Sequence, residues 1–198
     1  MTAPGKQTEK GERRRALLVA AAAELLAEGG FDAIRHRAVA ERAGVPLAAT
    51  TYYFSSLEDL VGAGLDRLAR EELADARACL DARDAPDEIV LDLLLGPRSR
   101  TEGLDAVLRR FERLIGSGRR PFLAGLLRDQ RVEFDALIDE ALSRAAGRRP
   151  APGEVRRVTA LVDGVVLTAL IEAEPDPRGI ARAALREAIG AGDYHRAT

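Results

Sequence analysis

Residues 46–54 of this 198-residue chain, Pro46-Leu47-Ala48-Ala49-Thr50-Thr51-Tyr52-Tyr53-Phe54, collect small side chains, two threonine hydroxyls and two phenols in one short segment. The whole chain has three tyrosines, five phenylalanines and no tryptophan, so three aromatic residues in succession form a local concentration. Threonine hydroxyls donate to or accept from base edges, and alanine and threonine methyls meet thymine methyls. Phenol hydroxyls on Tyr52 and Tyr53 can reach phosphate oxygens, which fixes register without reading sequence. Phe54 is expected in the core. Arg35 and Arg37 add guanidinium groups suited to phosphate, and His36 between them is either a further contact or a surface or capping group. Lys6, Lys10, Arg13, Arg14 and Arg15 are opposed locally only by Glu9 and Glu12. They read either as a basic arm along a DNA backbone or minor groove, or as a solvated tail.

Other chemistries have little material. Cys79 is the only cysteine, which removes an intrachain disulfide and a cysteine-rich zinc site and fits a reducing interior. With His36 and His195 as the only histidines, neither a histidine-based metal site nor a Cys–His dyad can be assembled. Asp75, Asp81, Asp84 and Asp87 read as solvated helix faces and caps. No catalytic residue, metal or cofactor is therefore expected. The polar start lacks an apolar core of the signal-peptide kind, and the apolar run from Gly164, GVVLTALI, is too short for a bilayer. No membrane partner is expected, and the expected compartment is the cytoplasm.

The net charge of -2 argues at first against nucleic acid. It averages two unlike parts: residues 1–54 hold eight basic against six acidic side chains, and the remainder 22 against 26. The modest local excess predicts few phosphate contacts per subunit and a shallow salt dependence.

The elements that position these groups follow from apolar periodicity, which is helical almost everywhere and predicts an all-α fold. A helix over about 12–28 closes at Gly29-Gly30, and a short helix over about 36–43 precedes the break Gly44-Val45-Pro46. A second short helix spans about 47–53. Ser55 with Glu58 reads as a capping box that starts a long helix over about 55–83. Two short helices about a glycine turn, after a longer helix, match the helix-turn-helix pattern, with Val39 and Val45 packing the pair. The second helix, slim at Ala48, Ala49, Thr50 and Thr51, suits a major groove about 12 Å wide. The expected division is residues 1–54, an arm with a three-helix DNA-binding domain, and 55–198, a helical domain. In the latter, Val158, Leu161, Val162, Gly164 and Val165 form a wide apolar stripe, and Gly164 permits close approach of a second helix. With Leu185 of the last amphipathic helix, over about 178–189, these residues are expected to form a homodimer interface.

At these residues the chain resembles the TetR/AcrR family of transcriptional regulators. The likeness covers residues 13–61 nearly end to end, with RAVAERAGV at 37–45 and TYYFSSLEDL at 51–60 resembling the turn and the recognition helix. ALVDGVVLTAL at 160–170 resembles the family's penultimate, dimer-forming helix. The resemblance implies a homodimeric, ligand-released repressor on a double-stranded, pseudo-palindromic DNA operator, contacted by Arg35, His36, Arg37, Pro46, Leu47, Ala48, Ala49, Thr50, Thr51, Tyr52 and Tyr53. It also implies an unidentified small-molecule effector in the C-terminal domain, for which Phe111, Phe122, Leu126, Leu127, Gln130 and Phe134 are the candidate lining. The chain departs from the family at Arg35, where a capping serine or threonine is common, and at Leu47 and Leu57, where lysines are common. A helical interaction protein of the same fold with weak or no DNA binding is the alternative.

Overall fold

The helical periodicity is realised across the described residues. The computed structural model describes residues 4–81 and 85–194, with side chains from residue 9 to residue 190 outside the gap, and among these residues every regular element is helical. Lys6, Arg83, Asp84 and His195 carried expectations that lie outside the described side chains. The helices are α1 (Pro4–Gly29), α2 (His36–Ala43), α3 (Leu47–Tyr53), α4 (Leu57–Asp81), α5 (Pro86–Leu95), α6 (Gly103–Gly118), α7 (Ala124–Ala146), α8 (Glu154–Ile171) and α9 (Pro177–Tyr194). Short 3₁₀ turns occupy Phe31–Ala33, Pro97–Arg100 and Pro121–Leu123.

Two compact units share the chain. One runs to Arg70 and takes in Glu112–Leu126; the other holds Glu71–Phe111 and resumes at Leu127. The N-terminal unit thus reaches past residue 54, where sequence patterning placed the boundary. The physical reason is the start of α4. Leu60, Val61, Gly64 and Leu65 are buried there, and a Cβ added at Gly64 would lie 2.8 Å from the Ala22 Cβ of α1.

Within this unit α1 begins at Pro4, well before Glu12. The apolar stripe that marks α1 starts only near Leu18, so the earlier turns carry no periodic signal. The basic residues 10–15, read as an arm or a tail, are therefore part of a helix. α2 closes on Gly44, whose φ of 64° and ψ of 33° lie in the left-handed region that glycine occupies without strain. The Gly44 N–H donates to Glu41 O at 3.2 Å and the Val45 N–H to Ala40 O at 3.0 Å, the paired bonds of a Schellman stop. Arg42 donates to Glu28 and Glu24, tying α2 to α1. The cap of α4 sits one residue later than the Ser55/Glu58 pattern predicts: the Asp59 N–H donates to Ser56 Oγ at 3.0 Å, and Ser55 Oγ donates to the Asp59 carboxylate.

The second unit is built around α5. Ile89, Val90, Leu91, Leu93, Leu94 and Leu95 are all buried, as expected of a helix apolar on nearly every side. Its three acidic residues all face arginines, Asp87 accepting from Arg186 at 2.8 Å. Glu88 accepts from Arg178 and Arg182 of α9, and Asp92 accepts from Arg100 and lies 2.9 Å from Arg178. The hydrogen bond from Arg182 is the first cause, and with the Arg178 charge it outweighs desolvation and holds the Glu88 carboxyl down at about 2. Val158, Val162 and Val166 of α8 join Ala181 and Leu185 of α9 in the same core. This corrects the expected dimer surface: Val158, Val162 and Leu185 are filled positions within one chain, and Val165 packs against that core, partly buried. Leu161 and Gly164 do point outward, joined by Leu167 and by Ile171, which is 76% exposed.

Candidate nucleic-acid interface

α3 and the first turns of α1 bound a cleft of about 840 Å³, lined by Lys10, Gly11, Glu12, Arg14, Arg15, Pro46, Ala48, Ala49, Tyr52 and Tyr53. Three basic side chains against one acidic give it a positive lining, which the chain-wide charge conceals. Tyr52 is 80% exposed at the end of α3, and its ring meets Tyr53 edge-on with centroids 4.8 Å apart. Tyr53 is half-buried and its hydroxyl lies against Gly11, where an added Cβ would be 3.5 Å away. The two phenols thus divide their work: Tyr53 seats α3 on α1, and Tyr52 stands free at the cleft mouth. Arg15 lies over the Phe54 ring at 5.3 Å, and Phe54 is buried, as its apolar character predicts.

Ala48 and Thr51 are exposed and Ala49 partly so, with the Thr51 hydroxyl donating to Ala48 O at 3.2 Å. Thr50 is different and corrects its expected place on this face. It is 0% exposed, and its hydroxyl donates to Leu47 O at 2.8 Å. Pro46 and Leu47 are exposed at the start of α3. At the start of α2, Arg35 is exposed in an extended conformation with no side-chain cap bond, as its departure from serine or threonine predicts. Arg37 is 84% exposed and donates to Glu41 at 2.8 Å. That hydrogen bond, with the Glu41 charge, raises the Arg37 pKa further above its ordinary value. A phosphate must therefore compete with Glu41 for Arg37, whereas among the described residues no ion pair engages Arg14 or Arg35. His36 is partly buried and its Nδ1 has no partner among the described residues. The wall supplied by α1 is what sequence reasoning placed least well. Its signal was present in the basic run 10–15, but only helix geometry brings Arg14 and Arg15 beside α3.

The expected effector lining is shared between the two units. Phe122 and Leu126 belong to the N-terminal unit, and Phe111, Leu127, Gln130 and Phe134 to the other. Phe122 lines a separate cleft of about 880 Å³ in the N-terminal unit, where Arg120 stacks 3.9 Å from the Phe31 ring. Phe111 is buried in the core of its own unit, and Phe134 packs partly buried against it. Among the described residues no group of three or more His, Cys, Asp or Glu side chains is placed to hold a metal ion. No described helix is long and apolar enough to cross a membrane.

Two short helices about a left-handed glycine, the second exposed beside a basic cleft, define a helix-turn-helix unit. Residues 18–63 match the family model described as bacterial regulatory proteins of the tetR family, and residues 81–191 match the tetracyclin repressor-like C-terminal domain. The chain belongs to the TetR family of transcriptional regulators. Among solved structures it is similar to the multidrug binding protein EbrR complexed with ethidium, with 26% identity over 88% of this chain and 97% of that one and a TM-score of 0.64. It is also similar to a TetR family member from Streptomyces coelicolor A3, with 28% identity, the same coverages and a TM-score of 0.58. A TetR transcription regulator from Haloarcula marismortui ATCC 43049 shares the fold at a TM-score of 0.65 with 19% identity, over 91% of this chain and 98% of that one. No protein of curated function matches the chain.

Proposed function

We propose that the protein is a ligand-released repressor that binds a pseudo-palindromic DNA operator as a homodimer. The observation that carries this reading is the cleft of Lys10, Arg14, Arg15 and Tyr52 beside the exposed face of α3. In the proposed complex α3 enters the major groove with Ala48, Ala49 and Thr51 toward the base edges. Tyr52, Arg14, Arg15, Arg35 and Arg37 hold the phosphates, while Pro46 and Leu47 give apolar contact at the groove edge and His36 flanks the backbone. Thr50 and Tyr53 position α3 from behind.

A two-fold dimer suits an inverted repeat, with recognition helices about 34 Å apart. The exposed face of α8 supplies a seam for it: Leu161, Gly164, Thr168 and Ile171 recur at three- and four-residue steps along one stripe. An effector in the C-terminal unit, near Phe111, Leu127, Gln130 and Phe134, would release the operator by favouring a conformation in which that spacing is lost. Support comes from the EbrR complexes with ethidium, proflavin and malachite green, and from α4, α6 and α7, each of which begins in one unit and ends in the other.

The test is selection from random duplex DNA at low salt, followed by affinity measurement. The wild-type chain is expected to select an inverted repeat. Tyr52→Phe should weaken binding to every duplex by about 1 kcal/mol, a factor of roughly five, with the selected sequence unchanged. Failure of the wild type to select any duplex would sink the reading and leave a helical interaction protein.

A further inference from the structure

Asp163 lies in the middle of α8, partly buried, and among the described residues no hydrogen bond or ion pair reaches its carboxylate. Burial pushes its carboxyl up from the ordinary value, against the more distant charges of Arg131 and Arg110. Neither arginine is at its disposal. Arg110 donates to Glu72 and to the carbonyls of Leu93 and Leu94, and Arg131 lies 2.6 Å from Asp135. Both arginines are thus engaged by other acceptors, and no donor among the described residues reaches the Asp163 carboxylate. One turn earlier on α8, Thr159 is 4% exposed and its hydroxyl has no partner among the described residues. Residues four apart lie on one helix face, so this carboxylate and the unsatisfied hydroxyl are neighbours. Each is unfavourable alone, because a desolvated polar group that forms no hydrogen bond is destabilising. A ligand with a positively charged N–H group satisfies both at once.

We propose that Asp163, with Thr159 beside it, is the counter-ion site that makes the effector of this protein an organic cation carrying N–H donors. The proposal rests on the effector reading above and adds the ligand class and the residues that select it. Solvent still reaches Asp163, so the carboxylate is accessible to an entering charge.

The experiment titrates the full-length protein at pH 8 with proflavin, a cation bearing amino groups, and with acridine, its neutral parent, following dye fluorescence. Wild-type protein is expected to bind proflavin at least tenfold more tightly than acridine. Asp163→Asn should cut proflavin affinity tenfold or more and leave acridine unchanged, and its melting temperature should hold or rise, because an unpaired desolvated charge has been removed. Thr159→Val, which keeps shape and loses the hydroxyl, should weaken proflavin binding several-fold and serves as the test should the Asn variant misfold. Proflavin affinity unaltered in both variants overturns the proposal while leaving an effector site standing. Wild-type protein that binds acridine as tightly as proflavin overturns the cation preference. Binding of neither dye overturns the proposal, and the effector reading then stands or falls on its own test.

Discussion

Thr50 and Thr51 are adjacent residues of identical chemistry with opposite environments, one enclosed and one facing out. Thr50→Val should lower stability by about 1 kcal/mol through the lost hydrogen bond to Leu47, and should leave the DNA sequence selected by the protein unchanged. Thr51→Ala should do the reverse, with stability nearly constant and an altered preference at one operator position; a Thr50 variant that selects a new sequence would refute this assignment. The sequence alone could not separate the two. α3 has seven residues, too few turns for periodicity to fix which side of a helix is inward. Phe54 was legible because a phenyl ring has one favourable destination. Tyr52 and Tyr53 were legible as a pair and not singly, since a phenol is at home both in packing and in water. Asp163 was illegible for a related reason: nothing in the sequence marks its carboxylate as partly buried and without a donor.

At the scale of elements, the helices and their breaks were readable from glycine, proline and apolar spacing, whereas two boundaries were not. The start of α1 lacks an apolar stripe, and with adjacent serines at 55 and 56 the cap of α4 has two candidate registers, of which Ser56 takes the N–H of Asp59. The contact of α4 with α1 also gives a prediction. A Cβ at Gly64 would meet the Ala22 Cβ at 2.8 Å and backbone atoms of Ala22 and Ala23 at 3.1 and 3.2 Å. Backbone cannot move aside as a flexible side chain does, so Gly64→Ala should destabilise by about 1–3 kcal/mol, read as a lowered midpoint in denaturant unfolding. Between α5 and α9, Glu88 makes a pH prediction. Its carboxyl is held at about 2 against an ordinary 4.5, so its stabilising effect is fully present above that ordinary value and is lost as pH falls toward 2. The melting temperature should fall across that window, and Glu88→Gln should flatten the fall; an identical acid profile in the variant would show that other carboxylates control it.

For the whole molecule, the proposed dimer would use the exposed face of α8. Gly164 faces open space, with nothing within 4 Å of an added Cβ, so Gly164→Glu disturbs little within one chain. Sedimentation should show the wild type as a dimer and Gly164→Glu as a folded monomer with weakened operator binding; a variant that remains dimeric would place the interface elsewhere. The sequence marks a wide apolar stripe on α8 without separating its inner from its outer side, because Val158 and Val162 carry the same apolar signal as Leu161 and Ile171. Apolar character marks a residue for burial and does not state by what. The division into units was less legible still, since α4, α6 and α7 each cross it without a break in pattern.

The enclosure of α5 has a consequence for how the protein can be watched at work. Its backbone amides are shielded by a core that must come apart before solvent deuterium reaches them, so their exchange should proceed only through global opening of the C-terminal unit. The slowest-exchanging amides of Pro86–Leu95 then report the stability of that unit directly. A ligand that binds only the folded form slows their exchange by the factor one plus the ratio of its free concentration to its Kd, which makes deuterium uptake in this one segment a ligand screen that requires neither an operator nor a dye.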